Sequence, residues 1–223
     1  MNTHSFTLSG ARLQARASGA LWWADAGLLC VSDLHLGKSE RMARRGGAML
    51  PPYETQDTLF RLEAEIDALQ PRCVVSLGDS FDDLDAGLSL GKDARLWLSR
   101  LMAGRDWVWI EGNHDPGPLA LGGRHIAALR LGGLVMRHIA TPETGEISGH
   151  YHPKAVVPVK GRPVSRACFL IDHARVILPA FGTYTGGLRC SDPALTGLMQ
   201  SDAVAVLTGP RIHVFPMFAT KAG

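Results

Sequence analysis

Short apolar runs that break off into clusters of Asp, His and Asn recur along this chain of 223 residues, and they constrain its fold more than any other feature. Gly27-Leu28-Leu29-Cys30-Val31-Ser32 ends at Asp33-Leu34-His35, and Cys73-Val74-Val75-Ser76-Leu77 ends at Gly78-Asp79-Ser80-Phe81-Asp82. Trp107-Val108-Trp109-Ile110 leads to Gly112-Asn113-His114-Asp115, and a fourth cluster, Gly149-His150-Tyr151-His152, stands further on. Short β-branched or aromatic runs closed by Gly, Asp or Asn predict buried strands that empty into loops. In layered α/β folds, sites collect at the carboxyl ends of strands. The pattern therefore predicts that these side chains converge from distant parts of the sequence. Asp33 and His35 are two apart, as are His150 and His152; in extended backbone both members of such a pair face one side and can grip a metal together.

The intervening sequence supplies the frame. Leu13 to Ala17 and Ala20 to Ala24 around Ser18-Gly19 predict an opening hairpin, and Ser39 to Arg45 a short helix beside the first cluster. After Pro51-Pro52 comes the clearest helix, with Leu59, Leu62, Ile66 and Leu69 on one stripe and Pro71 as its stop. A second helix, Lys92 to Leu101, leads into the Trp107 run, and this strand and helix alternation implies parallel pairing. The second half changes character. Leu134 to His138, Phe169 to Asp172, Arg175 to Pro179, Ala203 to Leu207 and Ile212 to Phe215 read as strands in meander or hairpin connections, hence a second sheet.

No Pro/Ser-rich linker or composition shift divides the chain, so it reads as one domain, residues 1–223. A net charge of +2 does not announce a nucleic-acid binder, so any basic surface must be local. Lys38, Arg41, Arg44 and Arg45 beside the first cluster, and Lys154, Lys160, Arg162 and Arg166 after the fourth, are candidate walls of a groove for a polynucleotide backbone; ordinary solvated charge is the competing reading. Cys30, Cys73, Cys168 and Cys190 form no C-x-x-C pair and demand no disulfide. With no signal peptide and no run of membrane-spanning length, the expectation is a cytoplasmic protein with no membrane partner.

The ordered set D-x-H, G-D-x-x-D, G-N-H-D and G-H-x-H resembles the hallmark of the calcineurin-like metallophosphoesterase superfamily. Asp33-Leu34-His35-Leu36-Gly37-Lys38, the Gly78 loop, Trp107 to Pro116 and Leu178 to Leu188 further resemble its ligase-associated DNA-damage-response endonuclease branch. In one departure, Asp82 stands where that branch commonly has His after the Phe of the second cluster. The superfamily resemblance implies an α/β (α+β) fold, a four-layer αββα sandwich of two mixed sheets with helices outside. It also implies two metals, one held by Asp33, His35, Asp79 and His152, the other by Asp79, Asn113, His138 and His150, with Asp79 bridging. His138 is preferred over His125 because it follows a strand, as the superfamily's lone His does. His4, His125, His173 and His213 are read as structural or surface residues.

Imidazole, carboxylate and amide ligands without thiolate suit manganese, iron or zinc, and the resemblance favours Mn2+. Two divalent cations facing two carboxylates keep net positive charge even with a shared hydroxide, which suits an anionic phosphodiester. Such a pair lowers the pKa of a shared water and clamps both attacking and non-bridging oxygens, so that hydroxide is the nucleophile. His114, directly after a ligand, is the candidate general acid and Asp115 its orienting partner. Asp82 is read as a partner of a ligand His or as a loop cap.

The branch resemblance implies a nuclease on DNA, single-stranded, acting in repair beside a DNA ligase and a helicase. A small-molecule phosphodiesterase, acting on a cyclic nucleotide or nucleotide diphosphate conjugate, would use the same motifs. A scaffold that has lost its metals is disfavoured because every expected ligand is present together with His114.

Overall fold

The computed structural model describes residues 2–44, 46, 51, 53–83, 90–117, 121–159 and 161–218. Arg45, Pro52 and Lys160, and the side chain of Arg44, lie outside this description. Among the described residues the fold is mixed α/β, with two large mixed sheets and few helices.

The first sheet runs in chain order through β1 (Thr3–Leu8), β2 (Ala11–Arg16), β3 (Leu21–Trp23), β4 (Leu28–Val31), β5 (Cys73–Ser76), β6 (Asp106–Ile110) and β7 (Arg124–Ile126). It is antiparallel from β1 to β4 and parallel from β4 to β7. The switch occurs where helical crossovers begin. Between the parallel strands lie α1 (Lys38–Arg44), α2 (Glu54–Leu69) and α3 (Lys92–Met102). A crossover that returns the chain in the same direction needs a dozen or more residues, which these segments provide.

The second sheet contains β8 (Ala128–Leu131), β9 (Leu134–Arg137), β10 (Glu146–Ser148), β12 (Arg162–Ile171), β13 (Arg175–Ile177), β14 (Val204–Leu207) and β15 (Val214–Pro216), in the spatial order β15-β14-β12-β13-β10-β9-β8. β11 (Lys154–Val159) pairs with the outer half of β12. A short helix, α4 (Pro193–Thr196), starts with proline behind Asp192, whose side chain accepts the Ala194 amide. The expected hairpins are present as β8–β9, β12–β13 and β14–β15. β10 lies parallel between β9 and β13 and breaks the sequential pairing.

Alternation along β4 shows why both faces of the first sheet are apolar. Leu28 and Cys30 point toward the second sheet, into a core with Leu13, Val75, Ile110, Met136, Ile147, Phe169 and Val206. Leu29 and Val31 point the other way, against Leu59, Leu62 and Ile66 of α2 and Leu98 and Leu101 of α3. A strand covered on both faces reads as a continuous apolar run, and burying each such side chain contributes about 2 kcal/mol. Trp107 and Trp109 belong to the helix-facing core, as packing rather than as a surface for bases. On the far face of the second sheet Cys168, Leu170, Ile177 and Leu207 meet Leu195 and Met199. α2 ends at Gln70, whose left-handed backbone (φ 46°) lets its amide reach the Ile66 carbonyl before Pro71 bars continuation. Among the described residues no helix is long and apolar enough to cross a membrane.

Candidate metal centre

Five loops carry the candidate side chains, each leaving the carboxyl end of a strand: Asp33 and His35 after β4, Asp79 after β5, Asn113 after β6, His138 after β9, and His150 and His152 after β10. Backbone hydrogen bonds tie the loops together. The Asp33 amide donates to the Gly78 carbonyl at 3.3 Å, the His35 amide to the Asp79 carbonyl at 3.0 Å, and the Gly149 amide to the His138 carbonyl at 3.0 Å.

The pairs do not converge by strand alternation, as their spacing suggested. Asp33 (φ 52°), His35 (45°), Asp79 (46°), His150 (70°) and His152 (46°) all sit in the left-handed region, where a Cβ is crowded by its own backbone. Eight non-glycine residues do so among those described, and five of them are candidate ligands. Such backbone costs about 1–3 kcal/mol per residue and persists where the surroundings enforce it. Two glycines belong to those surroundings. A Cβ on Gly112 would collide with Asp79 and Asp115, and one on Gly149 with Ser32 and Asp33.

The candidates fall into two groups. Donor atoms of Asp33, His35 and His152 lie within 4.8 Å of one another, as do those of Asp79, His138 and His150. His150 and His152 therefore divide between the groups. In the first, Asp33 Oδ1 lies 3.0 Å from His152 Nε2, while Asp33 Oδ2 accepts the Ser32 hydroxyl and the His150 amide. His35 Nε2 is buried without a hydrogen-bond partner. In the second group His138 Nδ1 is 2.7 Å from the Leu77 carbonyl. That carbonyl can only accept, so Nδ1 carries a proton and Nε2 is the nitrogen that faces the other candidates. Around Nε2 stand Asn113 Oδ1 at 2.9 Å, His150 Nδ1 at 3.1 Å and Asp79 Oδ2 at 3.4 Å. With Nε2 deprotonated, this nitrogen and the Asn113 and Asp79 oxygens are a donor set for a cation. The two groups adjoin, with His138 Nδ1 3.9 Å from Asp33 Oδ1.

Burial would raise the carboxyl pKa values here, but the imidazoles outweigh it. His152 and His138 hold Asp33 below its ordinary value. His138 and the His114 amide bring Asp79 down to about 2. Burial lowers His138, yet Asp79 and Asp33 raise it overall; burial and His138 lower His150. Orphaned nitrogen lone pairs beside two ionised carboxylates are a donor set that fits divalent metal ions.

His114 is half-buried at the edge of this cluster. Its amide donates to Asp79 Oδ1 at 2.9 Å, its Nδ1 lies 2.9 Å from the Asp82 carbonyl, and its Nε2 is 3.9 Å from Asp79 Oδ2. The expected Asp115 partnership with His114 is replaced by that carbonyl. Asp115 instead accepts the backbone amides of Asp79, Ser80 and Phe81 at 2.9, 2.8 and 3.2 Å. Burial and the Asp79 charge push its pKa up to about 6 against those donors. Among the described contacts Asp115 therefore braces the Asp79 loop.

Asp82 is buried with Oδ1 3.0 Å from His35 Nδ1, and it also pairs with Arg41 Nε. Lys38 lies 3.9 Å from it. Lys38 and Arg41 thus face this carboxylate, where the sequence had offered them as groove walls. Lys154 donates to the Thr185 carbonyl at 3.0 Å, and Arg162 and Arg166 are exposed on β12. His125 stacks on Trp109, 6.1 Å between ring centres, away from both groups. Ser32 was not foreseen; its one sequence signal is a polar residue closing an apolar run.

No protein-family model matches the sequence, and no curated protein matches it. Among solved structures, a Pseudomonas putida nuclease, MPE, is similar with a TM-score of 0.74 and 28% sequence identity, covering 96% of this chain and 100% of that chain. The likeness gives this chain a nuclease-like fold.

Proposed function

We propose that this chain is a dinuclear metal-dependent phosphodiesterase of the calcineurin-like type, cleaving DNA as a single-strand endonuclease in repair. The observation that carries this reading is the pair of adjoining groups, Asp33 with His35 and His152, and Asp79 with His138 and His150. Similarity to a nuclease over nearly the whole chain supports nucleic acid as the substrate. In this reading the three apolar clusters are the contacts between the layers of one αββα domain, and Asp79 is shared by both metals, with Asn113 completing the second site. Manganese as the native metal, and work beside a DNA ligase and a helicase, belong to the same proposal through the sequence resemblance.

Two divalent cations held there would acidify a shared water and neutralise charge on the phosphate. The chain's own groups do the rest. Asp82 and the Leu77 carbonyl fix the ring orientations of His35 and His138, so that Nε2 of each faces inward. The Asp82 carbonyl holds His114 at Nδ1 and leaves Nε2 directed toward the cluster. From there a protonated His114 delivers its proton to the departing oxygen.

The test is a side-by-side assay of protein stripped of metal and reloaded with Mn2+, on plasmid, single-stranded DNA and cyclic nucleotides, with bound metal measured by mass spectrometry. Two equivalents of metal and preferred cleavage of single-stranded DNA are expected. Preferred hydrolysis of cyclic nucleotides would replace the nuclease reading with a small-molecule one. No retained metal and no hydrolysis would overturn it entirely.

A further inference from the structure

Beside the second group lies a cavity of about 420 Å³, lined by Glu111, Gly112, Asn113, Pro116, Ala127, Ala128, Arg137, His138 and Ile139. We infer that it receives a nucleobase, that of the nucleotide next to the scissile phosphate, taken unpaired from single-stranded DNA. The inference rests on the phosphodiesterase reading above and names the part of the substrate this wall recognises.

Position comes first. The cavity begins at Asn113 and His138, so its occupant must be attached to the group whose bond is broken at the metals. Its volume falls in the range of sites for small organic ligands. Chemistry decides what that occupant is. Pro116, Ala127, Ala128 and Ile139 present an apolar wall, and Ile139 is 43% exposed although it directly follows a buried histidine. Among the described lining residues Arg137 is the cation, and its guanidinium is paired with Glu143 Oε2 at 2.5 Å and Glu146 Oε2 at 3.1 Å. Glu111 adds an exposed carboxylate. Away from the metal end, a phosphate here would meet a guanidinium already paired with two carboxylates and the exposed Glu111 carboxylate. A base has apolar faces for the wall and N–H edges that a carboxylate can accept.

A base in this cavity cannot remain stacked and paired. Duplex DNA would bear an unstacking cost that a single strand largely escapes. Preference for single strands follows from the shape of the wall, without any contact that reads strand number.

The experiment compares three substrates on the Mn2+-loaded protein: an oligonucleotide of natural bases, oligonucleotides with one abasic position moved stepwise through the cleavage site, and base-free bis(p-nitrophenyl) phosphate. For the wild type, one abasic position should raise KM about tenfold with little change in kcat. Ala128→Phe, which fills the cavity from β8, should raise KM on natural DNA to the abasic value and abolish the difference between the two DNAs. Ile139→Ala, a milder change at the surface, should narrow that difference. Equal KM for natural and abasic DNA at every position would overturn the inference. So would an Ala128→Phe effect of equal size on both. Absence of hydrolysis even on bis(p-nitrophenyl) phosphate would instead sink the phosphodiesterase reading on which the inference stands.

Discussion

Asp82 Oδ1 lies 3.0 Å from His35 Nδ1, and the same carboxylate pairs with Arg41. With Nδ1 on that carboxylate, the other ring nitrogen is left for the group with Asp33 and His152. Carboxylates in this position typically contribute a factor of 10–100 to metal affinity. Asp82→Asn should weaken metal binding at the first site by about that factor, read by competition with a fluorescent chelator. Unaltered affinity would show that His35 is oriented by its loop backbone alone.

The same residue shows how far the sequence could be read. The Asp33/His35 and His150/His152 pairs were legible as costly polar groups placed where an apolar run would otherwise continue, whereas Asp79 and His138 came from the family resemblance, and the structure brings all six near one another in two groups. Their backbone was misread: positive φ at Asp33 or His152 is imposed by cross-loop hydrogen bonds that no local pattern encodes. Strands with long apolar runs, β4, β5 and β6, were legible, as was the stripe on α2. β1 was not, because Thr3–Leu8 is an edge strand with little burial. β10 was hidden for the opposite reason. It is three residues long, and its first, Glu146, is fully buried against Arg137 and the Thr141 amide, so a charged residue occupies a core position. Asp115 was assigned to His114 by adjacency, whereas three amides across the loop claim it.

Those three amides make Asp115 a test of the scaffold. Asp115→Ala would leave buried N–H groups of Asp79, Ser80 and Phe81 without an acceptor, at a cost of about 3 kcal/mol. A chain of this size should lose about 6 to 12 °C in Tm. Metal affinity should fall with it, since the loop that carries Asp79 loses its brace. A variant of unchanged Tm would mean that water replaces the carboxylate without loss.

His114 separates binding from turnover. Its hydrogen bond to Asp79 comes from the backbone amide, which alanine keeps, so His114→Ala should retain metal while turnover on an unactivated diester falls about 10²- to 10⁴-fold. With p-nitrophenyl leaving groups, which need no proton, the loss should be much smaller. An equal loss on both substrates would remove the general-acid role.

Asp57 provides a pH-dependent contact outside the two candidate groups. The Thr183 hydroxyl, then Arg61, hold its carboxyl below the ordinary value against a small burial effect. A depressed folded-state pKa means stabilisation that is present above the unfolded value near about 3.9 and is lost as pH falls through the folded one. Asp57→Asn should therefore lower Tm at pH 7, and the gap from the wild type should close as pH drops below about 4. Because the contact is largely exposed, the gap should be small and should shrink with salt. A gap independent of pH would assign the effect to shape rather than charge.

Metal removal should be visible without any substrate. The ring nitrogens of His35 and His152 lie within 4.8 Å of the Asp33 carboxylate, and those of His138 and His150 within 4.8 Å of the Asp79 carboxylate. A ligand that binds only the folded chain stabilises it by about 2.7 kcal/mol at a hundredfold excess over Kd. For a chain of this length that corresponds to a rise in Tm of about 5 to 10 °C. Adding Mn2+ to chelator-treated protein should raise Tm by that amount, and Asp33→Asn should reduce the rise. Magnesium, which dehydrates reluctantly and prefers oxygen donors, should give a smaller shift at equal concentration. Equal shifts with both ions, or none with either, would argue that the imidazoles do not coordinate.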